Sequence, residues 1–264
     1  MNTLLERLVV YCNTCLKKDI NYEIARYILN HYDECESITL KRICEDCYIS
    51  RTSVVRFCEL FNFSSWSAFH QFLTGTKKIK TFQAIDRFKT INIDNLYRMI
   101  YTVADNYTDE FKKEVKSYVN LMVDLLFKHD KVYLFGAIYP LSLATAFQVD
   151  MIGLGKLVYS NFQNEGTTIE PMQENDLALI LTASGRYISE YKQQFNAVCH
   201  SDAKRVVMSC SNRYKGMPAI DYYVHMQPSK DGGVKDFDYY LSAFLDIVYV
   251  EYRIRLEEGV YVTA

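Results

Sequence analysis

Apolar residues along the first 75 positions recur every three or four residues, as in Leu4, Leu5, Leu8 and Val9 and again in Ile24, Tyr27 and Ile28. That spacing lines one face of a helix and predicts a run of short helices with no strand among them. The stretch Ile38 to Leu73 divides into a helix near Leu40–Cys47, a break at Tyr48–Ile49, a helix near Ser50–Phe61 and a third near Ser65–Leu73. Ser50 and either Ser64 or Ser65 stand where a hydroxyl caps the first free amides of a helix. Residues 92–128 predict two amphipathic helices, on Leu96, Met99, Ile100 and Val103 and on Val115, Val119, Met122, Val123 and Leu126. Beyond Asp130 the pattern becomes short β-rich runs, Val132–Phe135, Lys156–Tyr159, Leu177–Thr182, Arg205–Ser209 and Tyr222–Met226, alternating with helical segments. Such alternation predicts a parallel sheet covered on both faces. A long amphipathic helix, Phe237 to Leu256, closes the pattern.

Two domains follow: an all-α unit over residues 1–75 and an α/β three-layer parallel-sheet unit over 91–264. The basic segment 76–90, which lacks a firm apolar stripe, is the expected linker. A chain of 264 residues has room for both cores. The net charge of −2 hides a polarity, because Ser37 to Lys80 carries seven basic against three acidic side chains and the remainder is acidic by 6. A locally positive end suits contact with phosphate. The first residues lack a signal-peptide pattern, and no uncharged apolar run reaches the roughly 18 residues that span a bilayer. A cytoplasmic protein without membrane contact is expected.

The densest chemistry lies at the second helix of the 40–61 segment. Ile43 and Cys44, then Val54, Phe57 and Cys58, supply apolar or small groups where two crossing helices meet. The exposed start, Ser50-Arg51-Thr52-Ser53, is followed one turn later by Arg56. Small hydroxyl residues let a helix N-terminus approach a DNA backbone, and arginine reaches a phosphate or a base edge. An ordinary helical hairpin with a polar face has the same pattern, and Arg56 has a structural alternative in pairing with Glu45, Asp46 or Glu59. Trp66, Phe69 and Phe72 share a face and are expected in the core.

The run Ser50-Arg51-Thr52-Ser53-Val54-Val55-Arg56-Phe57-Cys58, followed by Asn62-Phe63-Ser64-Ser65-Trp66-Ser67-Ala68-Phe69, closely resembles the N-terminal domain of the RpiR family of bacterial regulators. Asn62 stands where that family usually has Gly, a change that a left-handed C-cap tolerates. The resemblance implies that Ser50, Arg51, Thr52, Ser53 and Arg56 contact double-stranded operator DNA.

Eight cysteines without a secretory signal read as reduced thiols. Cys12 with Cys15 and Cys44 with Cys47 form two CxxC pairs, a spacing that can hold zinc. Both pairs fall in helical patterns without neighbouring Gly, and small buried hydrophobes are the simpler account. No metal, cofactor or catalytic residue is expected.

In the α/β unit, Val132–Phe135 leads into Gly136, and Leu177–Leu181 into Thr182-Ala183-Ser184-Gly185. Ligands of open parallel sheets sit beyond such strand ends, where small hydroxyls and Gly can surround a phosphate. A generic turn uses the same residues. Residues 110–250 resemble the SIS (sugar isomerase) domain that follows the helix-turn-helix domain in the same regulator family. The resemblance implies a phosphosugar effector held by Thr182, Ser184 and Gly185, with Gly136, Ser209 and Ser211 contributing. The first loop departs from the family's Gly-x-Gly-x-Ser: it reads Gly136-Ala137-Ile138-Tyr139-Pro140, and the nearest serine, Ser142, comes two residues late. The expected function is therefore a non-enzymatic, DNA-binding transcriptional regulator, a homodimer or higher oligomer, whose operator affinity responds to a phosphorylated sugar. The alternatives are a scaffold with a degenerate pocket used for dimerisation, and a phosphosugar isomerase drawing on His200, His225 or Glu190 as base.

Overall fold

Each helix of the N-terminal region starts at a side-chain cap. The computed structural model describes residues 3–90, 92–160, 169–226 and 236–259, with 79–90 as backbone only. A capping box opens α1 (Leu4–Thr14): the Glu6 amide donates to Thr3 Oγ1 at 3.3 Å and the Thr3 amide to Glu6 Oε2 at 2.8 Å. Asp19 caps α2 (Ile20–Asn30), Thr39 caps α3 (Leu40–Asp46), Ser50 caps α4 (Arg51–Leu60) and Ser65 caps α5 (Trp66–Thr90), with a short 3-10 turn at Tyr32–Ser37. Of the two serines before α5, Ser65 is thus the cap.

Both α3 and α4 end in Schellman closures. The Ile49 amide donates to the Cys44 carbonyl and the Phe63 amide to Cys58, each at 3.0 Å, around Tyr48 and Asn62 in the left-handed region. Asn62, with φ of +65°, takes the conformation foreseen for it. Leu4, Leu8, Ile24, Ile28, Ile43, Val54, Phe57 and Phe69 are fully buried between these helices. Phe57 lies 5.1 Å from Phe61 and 5.7 Å from Phe69 between ring centroids, and Trp66 stacks on Phe69 at 5.5 Å.

The third expected helix ended at Leu73, but α5 runs on to Thr90, through the whole segment read as a linker. No Pro interrupts it. Thr74 and Thr76, which spoil the apolar stripe, return their hydroxyls to the carbonyls four residues back, at 3.0 and 2.9 Å. Loss of an apolar face removes a reason to pack, not the ability to stay helical.

Contacts divide the chain into one unit of residues 1–91 with 148–157 and a second of 92–147 with 158–264. From Asn92 the elements are α6 (Ile93–Val103), α7 (Asp109–Lys128), β1 (Lys131–Gly136), α8 (Ile138–Leu143), α9 (Thr145–Gly153), β2 (Leu157–Ser160), β3 (Asp176–Leu181), α10 (Arg186–Glu190), α11 (Lys192–Cys199), β4 (Lys204–Ser209), β5 (Tyr222–His225) and α12 (Phe237–Glu257). The sheet order is β2-β1-β3-β4-β5, and β1 with β3, β3 with β4 and β4 with β5 all pair in parallel. Tyr133, Phe135, Ala178, Ile180 and Val207 join Tyr187, Ile188, Phe195 and Val198 of α10 and α11 in one apolar cluster. Their alternates on the strands, Val132, Leu134, Leu177, Leu179, Leu181, Val206 and Met208, are buried as well. Central strands hidden on both faces need the near-continuous apolar runs that β1, β3 and β4 carry. Helices α6 and α7 pack against α12.

Candidate nucleic-acid interface and ligand loops

Helix α4 presents its first turn outward while its opposite side forms the core. Val54, Phe57 and Cys58 are buried, whereas Arg51, Thr52 and Arg56 are exposed. Ser50 accepts the Ser53 amide at 3.1 Å and lies 3.0 Å from the Ser53 hydroxyl, so these two serines set the helix start. No acidic side chain sits in the first turn of α4 to neutralise the positive end of its dipole. Thr52 and Arg56, four residues apart, share a face, and Arg51 stands one residue earlier beside it.

The structural alternative for Arg56 is not taken up. Glu45 faces Lys41 at 3.6 Å, and Asp46 is held by the Tyr27 hydroxyl at 2.5 Å and by Arg42 at 3.6 Å. Arg51 and Arg56 make no ion pair or side-chain hydrogen bond among the described residues. Two other cations of this unit are committed: Arg42 bonds Glu34 at 2.7 Å and Lys77 bonds Glu36 at 2.9 Å. Trp66 and Phe69 are buried and Phe72 half-buried, in keeping with a core role.

Each CxxC pair has its first cysteine in a helix and its second at the C-cap, and all four are half-buried where buried side chains were expected. Cys12 and Cys15 close α1, where the Cys15 thiol donates to the Lys17 carbonyl at 2.8 Å, and Cys44 and Cys47 close α3. Among the described residues no three His, Cys, Asp or Glu side chains cluster as metal ligands do. Burial, the largest cause in each case, pushes the Cys35, Cys47 and Cys58 thiols from an ordinary 9.0 up to about 11. The native state therefore holds more protons than the unfolded chain between those values. Stability contributed this way is complete below about pH 9 and is lost as pH rises through about 11. The urea midpoint is expected to fall steadily across that window, and to fall less steeply in Cys47→Ala. A midpoint independent of pH there would contradict the placement of these thiols, buried for Cys35 and Cys58 and half-buried for Cys47.

In the sheet, the order reverses between β1 and β3, whose carboxyl ends define the crevice where ligands of such sheets bind. Gly136 pairs with Leu181, and Leu181 with Met208, so the three following loops start level. The Cys210 amide donates to the Ala183 carbonyl at 2.9 Å. The Ser209 hydroxyl donates to the same carbonyl at 3.2 Å and accepts the Ser211 amide at 3.1 Å. Ser209 is fully buried and braces the two loops, and the Ser211 hydroxyl accepts the Arg213 amide at 3.2 Å. The hydroxyls of Thr182 and Ser184 have no partner among the described residues.

Gly136 and Gly185 have local reasons to be glycine. A Cβ on Gly136 would lie 2.7 Å from the Leu181 carbonyl oxygen, and Gly185 has φ of +78° with the Tyr214 ring 2.7 Å from where its Cβ would be. The altered first loop turns at once into α8, leaving Ile138 and Tyr139 exposed. Ser142 donates to the Tyr139 carbonyl at 2.7 Å, which commits the late hydroxyl within its own helix. The candidate bases are engaged locally: Glu190 with Arg186 at 2.8 Å, His200 Nδ1 with the Asn196 carbonyl at 2.6 Å, and His225 Nε2 with the Cys210 carbonyl at 3.1 Å.

A family model described as the helix-turn-helix domain of the rpiR family matches residues 18–78. The HTH-type transcriptional regulator GlvR of Bacillus subtilis (strain 168) is 34% identical over 55 residues, which are 21% of this chain and 22% of GlvR. The match thus spans about a fifth of that relative's length. Among solved structures, Vibrio vulnificus NanR in complex with ManNAc-6P is 15% identical with a TM-score of 0.43, covering 97% of each chain. A hypothetical protein of Methanococcus jannaschii, for which a 3-hexulose-6-phosphate isomerase function has been inferred, is 20% identical with a TM-score of 0.42, over 64% of this chain and 93% of its own.

Proposed function

We propose that this chain, whose residues 18–78 form a helix-turn-helix domain of the rpiR family, is a cytoplasmic transcriptional regulator that binds operator DNA through α4. The observation that carries the reading is the outward first turn of α4, where Arg51, Thr52 and Arg56 are exposed and Arg51 and Arg56 have no anionic partner among the described residues. An exposed arginine that pairs with nothing in its own chain is available to phosphate or to a guanine edge. The chain acts as a homodimer or higher oligomer, placing two such helices on half-sites about one helical turn apart. Selection by the purified full chain from a pool of random duplexes tests this reading. Enrichment of a shared sequence is the expected result; recovery of unselected DNA only, or of none, would contradict it.

The effector is a phosphorylated sugar at the 182–185 loop, contacted by the uncommitted hydroxyls of Thr182 and Ser184 and by backbone at Gly185. Ser209, Ser211 and Gly136 shape this loop from behind. The effector shifts operator affinity by favouring one of two arrangements, a change carried through segment 76–90. Gly185→Ala combines a left-handed backbone with a steric overlap and is expected to cost about 1–3 kcal/mol, read as a lower urea midpoint. It also removes the thermal shift that a phosphosugar produces in the wild type, since only ligand bound to the native state stabilises it. Wild-type stability in this variant would contradict the loop geometry. A wild type that responds to none of a broad sugar-phosphate panel would favour the scaffold reading.

A further inference from the structure

The backbone and the side chain of Tyr48 make opposite demands. Seven described residues have left-handed φ: Gly155, Gly185, Gly216, Gly259, Asn62, Asp105 and Tyr48. Glycine takes this conformation freely and Asn and Asp do so readily, whereas a bulky side chain there is a steric outlier. Tyr48, at φ of +57°, closes α3, and its own amide donates to the Glu45 carbonyl at 3.4 Å. That closure needs a left-handed residue but not a tyrosine. The ring brings no compensation, since Tyr48 is 95% exposed and makes no side-chain hydrogen bond or ring contact among the described residues. Strain that nothing inside the chain offsets points to a use outside it. The location supplies one, because Tyr48 occupies the turn between α3 and α4, two residues before the Ser50 cap and three before Arg51.

We propose that Tyr48 is a DNA-contacting residue whose phenol hydroxyl donates a hydrogen bond to a backbone phosphate at the edge of the groove that α4 enters. The inference rests on the DNA-binding reading above. An uncharged donor in that place fixes the register of the helix without adding to the electrostatic, salt-sensitive part of binding.

The test compares Tyr48→Gly, Tyr48→Phe and Arg51→Ala in the full chain, on a duplex obtained by selection from the random pool. Tyr48→Gly relieves the strain and is expected to melt roughly 2–4 °C higher. It binds about tenfold more weakly, the scale of one hydrogen bond to a charged group. Tyr48→Phe keeps the ring and the strain, so it melts with the wild type and shows the same loss of affinity. Neither changes the slope of log affinity against log salt, whereas Arg51→Ala lowers it by about 1. Wild-type affinity in both Tyr48 variants, with binding weakened in Arg51→Ala, would overturn the assignment of Tyr48 alone. Wild-type affinity in all three would remove the DNA-binding role of this helix, and the proposal with it.

Discussion

The double variant Arg51→Ala, Arg56→Ala is expected to bind a selected duplex on the order of a hundredfold or more weakly than the wild type, from about 1–3 kcal/mol per arginine at a base edge or phosphate. The slope of log affinity against log salt falls by as much as about 2, near 0.9 for each arginine that meets a phosphate. Folding hardly changes. Both side chains are exposed and unpaired among the described residues, and surface substitutions of that kind stay within about 0.5 kcal/mol. Fluorescence anisotropy across a salt series, beside a thermal melt, separates the two effects. A double variant that folds and binds as the wild type would remove α4 from the interface.

Phe57→Ala is expected to act in the opposite way, through the fold. Phe57 is 0% exposed and sits between Phe61 and Phe69, binding the end of α4 to the start of α5. Truncating such a ring leaves a cavity that its neighbours fill only partly, at a cost of about 3–5 kcal/mol. A domain stable by roughly 5–15 kcal/mol loses a large part of its margin. Urea unfolding followed by far-UV circular dichroism reads the loss directly, and DNA binding declines with the helical signal. A cost below about 1 kcal/mol would mean that the aromatic packing of the helical unit is not as described. Phe57→Leu, which refills much of the volume, restores a good part of the stability.

These two variants separate what was legible in the sequence from what was not. The strands at Val132, Leu177 and Arg205 could be read because strands buried on both faces leave short, nearly continuous apolar runs. The start of α4 could be read because Ser50 is a cap three residues from the amide it satisfies. The extension of α5 was hidden, since Thr74 and Thr76 look polar in sequence and reveal their i−4 hydrogen bonds only once the helix exists. Gly136, expected to serve a ligand, is required by the Leu181 carbonyl 45 residues away in sequence, and Ser209 braces a loop 26 residues away. Spacing within a motif carries no trace of such long-range partners. Tyr48 is the sharpest case, because its residue type argues against the conformation that it adopts.

The ligand loops show the same division. The short loop at Thr182–Gly185 follows a buried strand, and the hydroxyls of Thr182 and Ser184 have no partner among the described residues. The loop after Gly136 differs in sequence from the resembled family and in structure becomes α8 at once, with Ile138 and Tyr139 exposed. On the reading proposed above, a phosphosugar would contact chiefly the 182–185 loop.

Helix α4, by its first turn, is the surface proposed to meet DNA. Amide hydrogen exchange of the full chain, with and without a selected duplex, tests it most directly, because it locates protection along the backbone without relying on any substitution. Slowed exchange is expected in peptides spanning Tyr48 to Phe57. Unchanged exchange in that segment, with protection appearing elsewhere on the chain, would contradict it.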